Sequence, residues 1–206
     1  MWPSIYSYKC IYLYITMMRR YKSGFTIVEL LIVIVVIAIL ATITIVAYNG
    51  IQKRALDTQR ISDIKNIQKG LMAYKAINGV YPTATPASVG AWDSSADYRD
   101  GHVFLQNLKD ANVISAIPVD PKNVSYDSDN TDGYQYAYYT YTQSELTNWL
   151  SGCPTDRGKL AILMIQRFAS SEPPAESPGF KCGPDGGNGD FSARYPNAWI
   201  WGDFDN

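Results

Sequence analysis

Two hydrophobic patterns follow one another along the first third of the chain. Residues 30–47 form a run of eighteen in which only Thr42 and Thr44 carry polar side-chain groups. A helix of this length and composition can span, or nearly span, the hydrocarbon core of a bilayer. Extending the run back to Phe25 lengthens it, at the cost of including Glu29. The pattern predicts a membrane-spanning helix near the N-terminus.

Beyond the apolar run the pattern becomes one-sided. Apolar residues recur at steps of three and four: Ile61, Ile64, Ile67, Leu71 and Tyr74. This spacing is typical of an amphipathic helix. Charged residues occupy the other positions, which we expect to face solvent: Lys53, Arg54, Asp57, Arg60, Asp63, Lys65 and Lys69. Asn78-Gly79 suits a helix C-terminus, so the sequence predicts one helix over residues 25–77.

Residues 80–206 contain shorter patterns and ten of the eleven prolines. Residues 101–114 predict a short helix with these buried positions: Val103, Leu105, Leu108 and Ile114. Alternating tyrosines within residues 133–142 predict a half-buried strand. The continuous apolar character of residues 160–168 predicts a second, central strand, and the Trp-rich ending predicts a strand or tail packed on this part. The resulting fold class is α+β, with an antiparallel sheet packed on the amphipathic helix.

Charge is distributed unevenly around the apolar run. The first 24 residues contain four basic residues and no acid, which leaves 14 basic and 19 acidic residues in the remainder. The positive-inside bias therefore places the N-terminus in the cytoplasm and the residues beyond 48 outside. A cleaved secretory signal peptide is the alternative. It fits poorly, because its apolar region is shorter and ends in an A-x-A-like site.

A carboxylate inside an apolar helix is costly and usually has a partner. For Glu29 we predict the α-amino group of Phe25 as the partner. This group exists only after the chain is cut between Gly24 and Phe25. In a neighbouring subunit shifted along a filament axis, that ammonium meets the carboxylate. The acid would then be poorly matched alone in lipid and well matched in a packed helical bundle.

The segment around this acid resembles the class III signal sequence of type IV pilins and type II secretion pseudopilins. The matching residues are Lys22, Gly24, Phe25, Thr26, Glu29 and Leu30. The resemblance implies cleavage between Gly24 and Phe25 by a membrane prepilin peptidase, N-methylation of Phe25, and a role for Glu29 in assembly. Residues 118–123 also resemble the P-x-D-P-x-N turn that many of these proteins carry before the head sheet.

The resemblance implies the pilin lollipop, a long helix carrying a globular head. We expect a cleaved leader over residues 1–24, the transmembrane and assembly half of the helix over 25–48, and its amphipathic half over 49–79. The extracytoplasmic head follows over residues 80–206. Initiation at Met17 or Met18 would give a leader of the usual short length.

Cys153 and Cys182 are the two cysteines outside the leader. A disulfide between them is the default in an oxidising compartment, and two buried free thiols are the alternative. A catalytic pair of one cysteine with His102, the single histidine, lacks an orienting acid in the sequence. We therefore predict no catalytic residue.

Two acidic loops could hold calcium, because this ion prefers oxygen ligands. The candidate ligands are Asp127, Asp129 and Asp132 in one loop and Asp185 and Asp190 in the other. Neither loop has the EF-hand spacing, although the resemblance includes pseudopilins with calcium in the head. We interpret both loops as solvated turns and expect no cofactor.

The resemblance implies a structural subunit of a type IV pilus-like filament, without enzymatic activity. Its implied partners are further copies, minor pilins, the prepilin peptidase, a platform protein, an assembly ATPase and the membrane. The precursor would be a single-pass membrane protein and the product a cell-surface or periplasmic filament. A near-zero net charge and the absence of a basic aromatic groove predict no specific nucleic acid partner.

Two alternatives remain open on the sequence. The first is a pseudopilin of a type II secretion or DNA-uptake system. The second is a single-pass anchored ectodomain with a ligand-binding or hydrolytic head, which would keep the residues before Gly24.

Overall fold

The computed structural model describes residues 24–85, 92–96, 103–125, 133–170, 176–184 and 187–206. Their elements are α1 (Ile27–Asn78), β1 (Asp93–Ser94), α2 (Gln106–Asp110), β2 (Tyr136–Tyr141), α3 (Gln143–Trp149), β3 (Leu160–Ile165), α4 (Phe191–Arg194) and β4 (Trp199–Phe204). The chain divides into two units at Ile45 and Val46. We call residues 24–45 the N-terminal segment and Val46–Asn206 the main unit.

The N-terminal segment is helical from Ile27 onward, with exposed side chains throughout. Its apolar length and composition are those of a helix able to cross a membrane. The hydroxyl groups of Thr42 and Thr44 donate to the carbonyls four residues before them, at 2.8 and 2.7 Å. These polar groups are therefore satisfied within the helix and do not interrupt the apolar surface.

The helix α1 ends where the sequence predicts a stop. Gly79 has φ 79°, in the left-handed region, and its N–H donates to the Lys75 carbonyl at 2.7 Å. The Asn78 side chain donates to the Tyr74 carbonyl at 3.0 Å. The Lys75 carbonyl, one of the last four that a helix end leaves without helical partners, is thus satisfied locally.

The described strands form one antiparallel sheet in the order β1-β2-β3-β4. In β2 and β3, Tyr136 lies opposite Ile165 and Tyr141 opposite Leu160. Trp199 of β4 pairs with Ile165 on the other side of β3. The Trp-rich ending is therefore a strand, and β3 is central as predicted.

The sheet has a hydrophobic core on each face. Alternate strand residues, including Tyr136 and Tyr138, pack with Ile64, Ile67 and Leu71 of α1. The intervening residues pack with apolar side chains of α3 and α4, among them Leu146 and Phe191. The strand predicted within residues 133–142 is confirmed as β2, but the prediction that it is half-buried was wrong, because elements cover both faces and every residue of β2 is buried.

The second helix is shorter than predicted. It spans Gln106–Asp110, because Leu105 before it and Asn112 after it have φ 48° and 56° and leave the right-handed helical region. Leu105 and Leu108 are buried as predicted, whereas Val103 is 47% exposed and Ile114 half-buried. Residues 101–102 lie outside the described part of the chain, as does the leader up to residue 23.

Candidate assembly site

The predicted cleavage bond lies in non-helical chain just before α1. A Cβ built on Gly24 would meet no atom within 4 Å, and the Phe25 side chain is 89% exposed. The first helical residue, Ile27, comes two positions later. The bond is therefore unobstructed in the described structure, while cleavage at Gly24 and methylation of Phe25 stay predictions.

Glu29 forms a reciprocal hydrogen-bonded cap with Thr26. Its carboxylate accepts from the Thr26 N–H at 2.8 Å and from the Thr26 hydroxyl at 2.7 Å. The Glu29 N–H in turn donates to the Thr26 hydroxyl oxygen at 3.2 Å. This is a capping box, which satisfies backbone donors that the first helical turn leaves free. The cap was not predicted from the sequence, although the Thr-x-x-Glu spacing is its signal.

Glu29 is followed by apolar side chains that the single subunit leaves uncovered. Exposed fractions in this segment include 61% for Leu30, 57% for Ile34 and 64% for Ile43. Apolar area of this extent is costly in water and is covered in vivo by lipid or protein. The N-terminal segment thus presents one acid, held at the helix start, next to a long apolar surface.

In the main unit, Arg60 binds the Asp120 turn to α1. The Arg60 side chain is 0% exposed and forms a two-pronged ion pair with the Asp120 carboxylate, Nε–Oδ2 2.6 Å and Nη2–Oδ1 3.0 Å. Asp120 also accepts from the backbone N–H of Lys122 at 2.8 Å. The P-x-D-P-x-N turn therefore has a definite partner, the buried guanidinium on the long helix.

Asp57 extends this ion pair to a second loop. Its carboxylate accepts from Arg60 Nη1 at 2.9 Å, from the Ala169 N–H at 2.7 Å, and from the N–H and hydroxyl of Ser170 at 2.8 and 2.6 Å. Burial alone would raise the pKa of Asp57, but these hydrogen bonds outweigh it and hold the pKa below its ordinary value.

The expectation that Asp57 and Arg60 face solvent was wrong. Both are buried, because Arg60 continues the apolar stripe of Ile64, Ile67 and Leu71 one turn toward the N-terminus. A charged residue on that stripe is stable only if it meets opposite charge. The spacing from Ile64 and the acid in the Asp120 turn together are the signal that could have identified this pair.

The C-terminal strand is attached to the end of α1 in a similar way. Lys75 Nζ lies 3.1 Å from the Asp203 carboxylate, which also accepts from the Tyr81 hydroxyl at 2.7 Å. The Tyr81 N–H donates to the Asp205 carboxylate at 2.7 Å. These contacts bring the chain leaving α1 and the last strand together.

Cys153 and Cys182 form a disulfide, with Cα atoms 4.7 Å apart and a sequence separation of 29. The bond joins the chain after α3 to the segment before α4. It excludes the alternative of two free thiols in this structure. Cys153 is therefore unavailable as a nucleophile, and His102 lies outside the described residues.

The acidic loops do not form a recognisable metal site in the described part of the chain. The Asp190 carboxylate accepts from the Ala193 N–H at 3.0 Å and so caps α4. Within the described ranges, no three His, Cys, Asp or Glu residues come together as metal ligands. Four of the candidate ligands lie outside those ranges: Asp127, Asp129, Asp132 and Asp185.

The N-terminal segment and part of the chain after it are similar to known proteins. Residues 19–45 match the family model for the prokaryotic N-terminal methylation motif. This match includes the predicted cleavage bond and Glu29. Comparison with solved structures gives no significant match.

Several curated proteins are similar over a longer stretch. Type II secretion system core protein G of Aeromonas hydrophila is 30% identical over 105 residues, 51% of this chain and 71% of that protein. Its counterpart in Escherichia coli K12 is 27% identical over 137 residues, 62% of this chain and 91% of that protein. A type IV major pilin protein of Neisseria gonorrhoeae is 24% identical over 140 residues, 68% of this chain and 62% of that protein. With its apolar N-terminal helix and its antiparallel sheet, the chain belongs to the family of type IV pilins and type II secretion pseudopilins.

Proposed function

We propose that the chain is a non-catalytic structural subunit of a type IV pilus-like filament. It is made as a membrane-anchored precursor, cut after Gly24 and polymerised through its N-terminal helix. The observation that carries the proposal is the uncovered apolar helix with one acid, Glu29, at its start, directly after an exposed Gly24–Phe25 bond. An uncovered surface of this kind needs lipid before assembly and neighbouring subunits after it.

In the proposed filament, the Phe25 ammonium of one subunit pairs with the Glu29 carboxylate of a neighbour. Cleavage converts the Phe25 nitrogen from an amide into an ammonium, and N-methylation preserves that charge. Opposite charges about 4 Å apart at an effective dielectric near 20 attract by roughly 4 kcal/mol before desolvation is subtracted. Thr26 offers Glu29 only neutral donors, and a charged donor forms a stronger hydrogen bond. The ammonium of a neighbour therefore competes well for the carboxylate.

The proposal also assigns partners and compartments. The partners are other copies, minor pilins, the prepilin peptidase, a platform protein and an assembly ATPase. The precursor lies in the cytoplasmic membrane with its N-terminus inside, and the filament lies outside that membrane. No cofactor takes part in this function.

The first test is mass spectrometry of the native protein. The expected mature chain begins at N-methylated Phe25, and Gly24→Glu is expected to leave a larger, uncut band in the membrane. A native chain that still carries residues before Gly24 would support an anchored ectodomain instead.

The second test distinguishes the role of the Glu29 charge from the role of Glu29 in the helix cap. Glu29→Gln keeps the shape of the side chain but removes its charge, and we expect normal processing with at least a tenfold loss of filament. Thr26→Val removes the hydroxyl of the cap and keeps the charge, so filament yield should change little. Equal losses in both variants would assign Glu29 a capping role and refute the charge pairing.

A pseudopilin that forms a short periplasmic filament is the second candidate. The relatives favour it, because core protein G of Aeromonas hydrophila is 30% identical and the gonococcal pilin 24%. Electron microscopy of cells producing the tagged chain distinguishes the two. Surface filaments containing the tag support the pilus, and their absence together with loss of protein export in a deletion strain supports the pseudopilin.

A further inference from the structure

The main unit contains a cavity of about 320 Å³ beside the C-terminal end of α3. Its walls come from the end of β2, the end of α3, the loop before α4 and α4 itself. The six described residues that line it are Tyr141, Asn148, Trp149, Leu150, Asn188 and Arg194. Pockets for small molecules have volumes of roughly 300–1,000 Å³, so this cavity suits a ligand with a single ring.

Trp149 presents an uncovered aromatic surface in this cavity. It is 53% exposed, whereas Leu146 and Leu150 on either side of it are each 1% exposed and pack in the core. A capping box of Thr142 and Glu145 fixes the other end of α3. The indole is therefore carried by an anchored helix, and it offers a flat apolar face with a polar N–H at its edge.

Tyr141 contributes a hydroxyl group that has no partner among the described residues. Tyr141 is 6% exposed, and its ring is held by those of Tyr139 and Phe191, whose centroids lie 4.5 and 5.9 Å away. Within the described chain, the one fully buried side-chain polar atom without a hydrogen bond is Trp199 Nε1. The Tyr141 hydroxyl is therefore accessible, and the cavity is the space that Tyr141 lines. A fixed ring with an accessible hydroxyl is a preorganised donor.

Arg194 gives the cavity a positive charge. It is exposed, and its guanidinium forms no ion pair or hydrogen bond with a described residue. Burial raises the pKa of Tyr141 and the Arg194 charge opposes that rise, so the guanidinium lies near the hydroxyl group. A carboxylate binds well to such a pair, because the arginine supplies charged donors and the tyrosine a neutral one.

The neighbouring acids already have other partners. The Glu145 carboxylate accepts from the Thr142 N–H at 2.8 Å and from the Tyr139 hydroxyl at 2.7 Å. The Asp190 carboxylate caps the start of α4. None of the six described wall residues is acidic. A carboxylate on a ligand therefore meets the arginine without a competing acid in the described wall.

Two amide groups complete the wall. Asn148 at the end of α3 and Asn188 in the loop before α4 are both exposed, and neither side chain is hydrogen-bonded to a described residue. The Cys153–Cys182 disulfide joins these two segments of the chain. A side-chain amide both donates and accepts hydrogen bonds. It therefore matches the hydroxyl groups of a sugar, which do the same.

We propose that this cavity binds an acidic saccharide unit, a sugar ring that carries a carboxylate. The apolar C–H face of the ring packs on Trp149, the carboxylate pairs with Arg194 and accepts from Tyr141, and the ring hydroxyls bond to the amides. Four of the six wall residues are exposed, so one unit of a polysaccharide can enter without the polymer being cut. The compartment in which they meet follows from the proposed function, but the binding itself does not depend on it.

The first experiment uses the full chain in a polyoxyethylene detergent, whose headgroup contains no sugar. The probes are matched tetrasaccharides of mannuronic acid and of mannose with the same linkage, which differ in having a carboxylate or a hydroxymethyl group on each ring. Isothermal titration calorimetry should show saturable binding of the mannuronate. The mannose compound should bind at least tenfold more weakly, because it offers Arg194 no charge.

Variants of the wall assign these two contributions to residues. Arg194→Gln should bind both tetrasaccharides with the same affinity, since it loses the charge and keeps the indole. Trp149→Ala should weaken the binding of both at least tenfold, and Trp149→Phe should weaken it less. The matched control is Tyr48→Ala/Arg54→Gln, which removes an exposed ring and an exposed arginine outside the cavity and should bind like the unaltered chain.

Three results would overturn the proposal. These are no saturable binding of either tetrasaccharide, a preference for mannuronate that persists in Arg194→Gln, and equal weakening in the Tyr48→Ala/Arg54→Gln control. Inhibition by acetate as strong as by free mannuronic acid would also contradict it, because the carboxylate alone would then be recognised. Circular dichroism melting curves establish that the main unit is folded in each variant.

Discussion

Ile34 and Ile64 show how differently two regions of this molecule use the same side chain. Ile34, in the N-terminal segment, is 57% exposed, whereas Ile64, in the main unit, is 0% exposed. In the main unit, apolar side chains pack into a hydrophobic core on each face of the sheet. In the N-terminal segment the same kind of surface is left for other molecules to cover. Under the proposed function, stability and assembly depend on separate stretches of sequence.

The largest effect should come from the buried charge in the main unit. Arg60→Met leaves Asp57 and Asp120 without their cation, and removing one partner of a buried ion pair costs about 3–5 kcal/mol. Urea unfolding of the detergent-solubilised chain measures this free energy. Arg54→Ala removes an exposed cation of the same helix and should change stability by less than about 0.5 kcal/mol.

A matched pair of isoleucine substitutions tests the comparison directly. Ile64→Ala opens a cavity in the core and should cost about 3 kcal/mol of unfolding free energy. Ile34→Ala should leave the stability of the solubilised subunit unchanged and reduce filament yield instead. If Ile34→Ala destabilised the solubilised subunit as much as Ile64→Ala, the proposed division of roles would be wrong.

The disulfide should stabilise only the main unit. Replacing both Cys153 and Cys182 with serine removes a bond between residues 29 positions apart, and in the chain-entropy model this costs roughly 3.5 kcal/mol. Urea unfolding in the presence and absence of a reductant is the measurement. The serine variant should match the reduced parent chain, and a parent chain insensitive to reductant would contradict the expectation.

The smallest expected effect is the pH dependence of the unfolding free energy that comes from Asp63. Burial and the nearby Asp120 charge raise the pKa of Asp63, although the Tyr136 hydroxyl donates to it at 3.0 Å. The folded state therefore holds the Asp63 proton more tightly than the unfolded state, and stability falls as pH rises through the folded pKa. Asp63→Asn should gain less than about 1 kcal/mol at neutral pH, because partial exposure screens the charge.

That gain should disappear as the pH falls below the unfolded Asp value near 3.9. Asp57 has the opposite sign, because its pKa is lowered. Its contribution is present above the unfolded value and is lost as pH falls through the folded pKa. Unfolding curves for the parent chain and for Asp63→Asn across this range measure both trends. A constant difference at all pH values would contradict the assignment to Asp63.

Long periodic patterns made much of the fold predictable. The helix predicted over residues 25–77 is α1, Ile27–Asn78, and the central strand predicted from residue 160 is β3. The short elements α3 and α4 were missed because tertiary packing decides whether a few residues become helical. Their caps were nevertheless readable, since Thr142 and Glu145 form a capping box and Asp190 caps α4.

The candidate site was predictable only where residues close together in the sequence define it. The cleavage bond and Glu29 stand out because an acid interrupts an apolar run. Arg60 was misplaced, because its partner Asp120 is 60 positions away and only the fold brings the two together.

The helix start has a consequence for the timing of polymerisation. The first backbone hydrogen bond recorded there runs from the Leu30 N–H to the Thr26 carbonyl at 3.2 Å, downstream of the Gly24–Phe25 bond. A cut at that bond removes no hydrogen bond of the described helix. The proposed cut would remove the basic leader and give the Phe25 nitrogen a positive charge, and no described hydrogen bond of α1 would need to break. The proposed maturation would thus be a covalent signal that does not require α1 to unfold.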